Sequence, residues 1–126
     1  MKLYLTHSAF LKLVTGQTQT RKEFAKRLED HLVKGDKLYI GVDSLQKLCA
    51  DTKKNPNVLL KFCEDAFEEI LPLSDAIVKK SYLLDSVSKH SEKLELATCL
   101  EFGMEGIFAK KNEFRNSLHI KKLEID

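Results

Sequence analysis

The stretch "LYLTHSAFLKL", Leu3 to Leu13, sets Thr6, His7 and Ser8 between a short apolar run and a segment whose apolar residues return at helical spacing. A polar break at the carboxyl end of a strand is where open α/β sheets collect ligands and catalytic groups. A histidine in such a place can serve as a general base or a metal ligand. No Asp or Glu follows His7 closely in the chain to orient its ring, which favours a hydrogen-bonded structural role. His90 precedes Ser91 and Glu92 at a helix start, while His31 and His119 have no evident partner. The same break recurs after "KLYIGV", where Asp43 and Ser44 stand ahead of a second apolar-periodic segment.

The elements that must position these residues follow from periodicity. Leu3 to Leu5 predicts a short buried strand, with Ser8 as N-cap of a helix through Val14 that stops at Thr15-Gly16. Gln17 to Thr20 reads as a polar loop. Arg21 to Val33 has Phe24, Leu28, Leu32 and Val33 on one face of an amphipathic helix that ends at Gly35-Asp36. Lys37 to Val42 is β-branched and aromatic, as a strand requires, and Asp43 or Ser44 caps the helix carrying Leu45, Leu48 and Cys49. Val58 to Ile70 predicts a helix, Leu71 to Leu73 a very short strand or connection, and Ser74-Asp75 restarts a helix carrying Ile77, Tyr82, Leu84 and Val87. Ser91 to Phe102 is a further helix stopped by Gly103. "GIFAKK" and "HIKKLEI" supply the last strands. This rhythm predicts an α/β fold with three layers, α/β/α, around a mainly parallel central sheet.

Composition bounds the class. With 126 residues, 43% apolar and 32% charged, the chain fits one domain, residues 1–126, with its own core. A net charge of +2 is too small to argue by itself for a nucleic-acid partner. Cys49, Cys63 and Cys99 are odd in number and form no CxxC pair, so they read as reduced thiols in a cytoplasmic protein. No apolar run approaches the ~20 residues that span a bilayer, and no secretory signal is evident, so no membrane partner is expected.

Four stretches together resemble the PIN-domain family, the small metal-dependent nuclease fold that includes the VapC toxins of toxin-antitoxin pairs. "LYLTHSAFLKL" resembles the family's opening strand and helix. "KLYIGVDSLQKL" is similar to the second strand and its helix. "FEEILPLSDAIVKKSYLL" looks like the middle segment, and "EKLELATCLEFGMEGIFAKKNEF" like the helix, Gly, strand and polar loop that close the family's site. The resemblance implies phosphodiester hydrolysis by water activated on Mg²⁺ or Mn²⁺, held by three or four carboxylates. Hard divalent ions take oxygen ligands, and carboxylates neutralise them while leaving room for water and phosphate.

Carried over position by position, the first carboxylate falls on Thr6, with Ser8 as the nearby hydroxyl. The second falls on Lys47, the third on Glu92, and the fourth on Lys111 or Asn112. Only Glu92 is acidic. A lysine a few Å from a bound Mg²⁺ repels it by several kcal/mol at an effective dielectric of about 20, so the usual metal site is expected to be lost and no cofactor is expected. The lysines have three readings: an ion pair of Lys47 and Lys111 with Glu92, a phosphate-facing patch of Lys110, Lys111 and Arg115, or plain solvated charge. The alternative is a displaced Mg or Mn site of Asp43, Glu92 and Glu95, since Glu95 lies three residues beyond Glu92 and can lean to the same side. A slip of the alignment by a residue or two brings in Asp51 or Glu113. The expectation is therefore a PIN-like interaction module without the usual ribonuclease activity, with RNA, an antitoxin or other protein, or a second copy in a homodimer as partner. A VapC-like ribonuclease using the displaced site is the second reading.

Overall fold

The computed structural model describes residues 1–84, 89–114 and 120–125, without the side chain of His90. In chain order the elements are β1 (Lys2–Leu5), α1 (His7–Thr15), α2 (Thr18–Val33), β2 (Lys37–Gly41), α3 (Val42–Thr52), α4 (Pro56–Ala66), β3 (Glu69–Leu71), α5 (Asp75–Tyr82), α6 (His90–Glu101), β4 (Gly106–Ala109) and β5 (Lys121–Glu124). The strands form one five-stranded sheet in the order β3-β2-β1-β4-β5, with every neighbouring pair parallel. The expected α/β class and parallel sheet are what the chain adopts.

Alternation along β1 sorts the core into two layers, because successive strand side chains point to opposite faces. Leu3 and Leu5 join Phe10, Phe24, Leu28, Leu48 and Cys63 on the face covered by α1 to α4. Tyr4 joins Leu96, Cys99 and Ile107 on the other, covered by α6, against which α5 packs. Burial of Leu3, Tyr4 and Leu5 is complete. Such two-sided burial explains why the strands are short apolar runs rather than alternating ones.

Several boundaries differ from the sequence reading, each for a physical reason. Thr6, not Ser8, caps α1: its backbone is extended and its side chain accepts from the Ala9 amide. α2 begins at Thr18 rather than Arg21, since the Arg21 amide already bonds to the Gln17 carbonyl at 2.9 Å; a solvent-facing first turn needs no apolar residue. α3 starts at Val42 with Gly41 as its cap position, so Asp43 and Ser44 lie inside its first turn. α4 ends at Ala66, and β3 takes Glu69 to Leu71 because those residues pair in register with Tyr39 to Gly41. α5 ends at Tyr82 with Leu83 at its C-cap, where the Leu83 amide bonds to the Lys80 carbonyl, so Leu84 lies beyond the helix; Val87 falls outside the described residues.

Order and direction fix where a site must lie. The chain lays β2 and β3 outward on one side of β1, then returns to place β4 and β5 on the other. This reversal is the topological switch point of an open sheet, and the crevice beyond its strand ends is the usual ligand position. Gly41 shapes that edge: a Cβ there would come within 2.7 Å of both the Tyr4 hydroxyl and Asp43 Oδ1. Gly41→Ala is expected to destabilise the fold by about 1–3 kcal/mol, the usual cost of overpacking, measured by urea unfolding. Adding Tyr4→Phe, which removes the crowding hydroxyl, should recover part of that loss.

Candidate functional site

At the end of β1, Thr6 is fully buried. Its hydroxyl donates to the Phe108 carbonyl of β4 at 2.6 Å and accepts from the Ala9 amide at 3.2 Å. One side chain thus joins two strands and satisfies an orphan donor of α1, a capping interaction worth about 1 kcal/mol. Thr6 does not line the neighbouring crevice, whereas Ser8 does.

That crevice, of about 380 Å³, is walled by the first turn of α1, the first two turns of α3 and α6, and the turn after β4. α1 contributes His7 and Ser8, α3 contributes Asp43, Ser44 and Lys47, α6 and its N-cap contribute Lys89, Glu92 and Glu95, and Glu113 closes the far side. Three helix N-termini meet here, and their dipoles favour nearby anions by roughly 0.3–1 kcal/mol each. Asp43 and Glu92 occupy first-turn positions of this kind.

Glu95 is the most tightly held acid. Only 6% exposed, it accepts hydrogen bonds at Oε1 from the His7 backbone amide and the Ser44 hydroxyl, both at 2.8 Å. Because Ser44 spends its proton on Glu95, the Tyr4 hydroxyl, 3.3 Å away, donates to Ser44. Burial pushes the Glu95 carboxyl up to about 7, with Asp43 and Glu113 adding to the shift and the two donors opposing it. Burial likewise lifts the Tyr4 phenol well above its ordinary value.

Glu92 is also buried, and its pKa is raised, first by desolvation and then by Glu113. Lys89, a backbone hydrogen bond from Phe114, and Lys122 act the other way. Glu113 accepts from the Ser8 hydroxyl at 2.7 Å and from the Lys110 amide at 2.8 Å. With the Glu113 amide returning a bond to the Lys110 carbonyl at 3.0 Å, the turn aims Glu113 inward. Lys110, Lys111 and Asn112 are exposed and do not line the crevice. The acid after β4 is therefore Glu113, one or two residues beyond the positions assigned by resemblance. Arg115 lies outside the described residues.

His7 places Nε2 3.1 Å from Asp51 Oδ2 of α3, a close approach without hydrogen-bond alignment. Burial lowers the imidazole pKa, helped by Lys47 and opposed by Asp51. A carboxylate absent from the local sequence thus approaches the ring from another helix. Among the described residues, no three His, Cys, Asp or Glu side chains stand together as a group that could hold a metal ion. Asp43, Glu92 and Glu95 share the crevice without converging, and the residues present do not fit a bound Mg²⁺ or Mn²⁺ as arranged.

No protein-family model matches the sequence, and no curated protein matches it. Solved structures do. A chain of VapBC2 from Rickettsia felis, bound to a DNA fragment from their promoter, matches with a TM-score of 0.77 at 13% identity over 100% of both chains. A chain of FitAcB from Neisseria gonorrhoeae matches with a TM-score of 0.68 at 12% identity, over 98% of this chain and 97% of that one. At such identities the likeness is one of fold, and it is the PIN-like α/β fold.

The raised carboxyl of Glu95 has a thermodynamic consequence. A group whose pKa rises from 4.5 to about 7 on folding binds its proton more tightly in the folded chain, so its contribution to stability falls as pH climbs through that window. At ~1.4 kcal/mol per unit, ionisation costs on the order of 3 kcal/mol by pH 8. Glu95→Gln, which cannot ionise, should flatten the pH dependence of urea unfolding between about pH 5 and 8. Parallel wild-type and variant curves would contradict the assignment.

Proposed function

We propose that this chain is a PIN-like interaction module that has lost the metal-dependent ribonuclease activity implied by its family resemblance. One observation carries the reading. Three of the carboxylate oxygens at the crevice are already engaged by the protein's own donors: Glu95 Oε1 by the His7 amide and Ser44 hydroxyl, and the two oxygens of Glu113 by the Ser8 hydroxyl and the Lys110 amide. Thr6, at the first carboxylate position, is committed to β4 and α1 instead, and Lys47, at the second, brings positive charge to the crevice.

An exposed apolar surface supports a protein partner. Between α1, α2 and α4 runs an apolar groove of about 460 Å³ whose walls include Leu13, Leu28, Leu32, Val58 and Phe62. Leu32, Val58 and Phe62 are 43%, 63% and 43% exposed, and contiguous apolar surface of this kind marks binding sites. The resemblance to VapC toxins implies a paired antitoxin, and the likeness to the VapBC2 chain is in keeping with assembly with a second protein. A homodimer belongs to the same reading and is checked by the mass in solution.

The second reading, a VapC-like ribonuclease with a displaced Mg or Mn site at Asp43, Glu92 and Glu95, has one observation in its favour. Those acids and Glu113 share one crevice, and burial first, then the neighbouring acids, raise the pKa values of Glu92 and Glu95; the second of these effects is repulsion that a cation would relieve. Cleavage of an unstructured RNA in millimolar Mn²⁺ separates the two. Wild type and Glu92→Gln are expected to share the same background rate; an Mn²⁺-dependent rate lost in the variant would establish the ribonuclease. Copurification with the product of the adjacent gene, abolished by Phe62→Glu, is expected of the interaction module. Salt-dependent RNA binding weakened by Lys110→Glu with Lys111→Glu would instead make RNA the ligand.

A further inference from the structure

We infer that Glu95 is a metal-free clamp that pins the N-terminal ends of α1 and α3 to α6 across the crevice. The clamp is the counterpart of the poor fit to a divalent ion, and so rests on the proposed function. Its geometry is explicit. A single oxygen of an α6 side chain receives the first amide of α1 and the hydroxyl of Ser44 on α3, each at 2.8 Å, and Ser44 in turn receives Tyr4 of β1. Four elements meet through one carboxylate. The bonded groups are buried: Glu95 is 6% exposed, Ser44 4%, and Tyr4 fully buried.

The His7 amide is the diagnostic group. It is one of the four amides at a helix start that have no partner inside the helix, and such groups normally turn to a cap or to water. Thr6 caps the Ala9 amide, leaving His7 to a side chain that is distant in sequence and fixed on another helix. The position that the family resemblance assigns to a metal ligand on α6 is Glu92, one turn earlier. The clamp therefore uses a carboxylate outside the resemblance's ligand set, and its action is structural positioning rather than chemistry.

Thermal unfolding of the purified full chain tests this, alongside amide hydrogen exchange. Wild type should melt at the same temperature in chelator and in millimolar Mn²⁺, and the His7 amide should exchange as slowly as the amides of β1. At pH 5, where Glu95 keeps its proton, Ser44→Ala and Glu95→Ala should each lower the melting temperature, with the effect of Ser44→Ala largely vanishing in the Glu95→Ala background. Glu95→Gln, whose amide oxygen can accept both bonds, should keep the His7 amide protected. Rapid exchange at His7 in wild type, additive effects of the two alanine substitutions, or a rise in melting temperature with Mn²⁺ that Glu95→Gln removes would each overturn the clamp. If Glu95→Ala does not fold, the wild-type exchange and Mn²⁺ measurements still decide. RNA cleavage with the clamp signature intact would refute the proposed function and leave the clamp standing.

Discussion

Parallel pairing of all five strands is the constraint from which the remaining organisation follows. A parallel neighbour can be reached only by a crossover, and crossovers in such sheets are made of helices packed on the faces. Strands β1 and β2 are followed directly by helices that start at the same edge of the sheet, and α6 begins near it as well. Helix starts carry unsatisfied amides and the positive end of the dipole. The edge therefore attracts acceptors whether or not the protein performs catalysis there, and Asp43, Glu92, Glu95 and Glu113 are the acceptors this chain places.

What those acids do depends on which stabilising partner prevails. Desolvation is the largest influence on both Glu92 and Glu95, and their acidic neighbours push in the same direction. Opposing it are backbone amides, hydroxyls and the lysines at the rim. For Glu95 the two protein bonds hold the carboxyl in place but do not outweigh burial, since its pKa remains near 7. For Glu113 the Ser8 and Lys110 donors occupy both oxygens. Negative charge is thus distributed among separate local partners instead of being gathered around one centre.

The fold was legible because apolar runs, polar breaks and helical periodicity agree along most of the chain. Gly103 follows α6 with the positive φ that suits a helix stop, and Ser74 caps α5 where the sequence restarts a helix. The site was less legible. "THS" offers several residues able to cap a helix, and the choice of Thr6 is made by a hydrogen bond to Phe108, 102 positions away. Glu113 faces inward because of a turn closed by its own side chain, which residue counting cannot resolve from Lys111 or Asn112. The contact of His7 with Asp51 and the bond from Ser44 to Glu95 are products of helix packing, with no local signature in the sequence.

The bond from Thr6 to Phe108 also bears on which residues can stand at the end of β1. Its hydroxyl has to accept from one backbone group and donate to another while excluded from water. A carboxylate can cap the same helix, but it has no hydrogen to give the Phe108 carbonyl, and its charge would face that oxygen in a dry interior. An aspartate at position 6 would therefore not be a self-contained change. The Phe108 carbonyl of β4 would need another donor, so one hydroxyl ties the choice of residue here to the seam between β1 and β4.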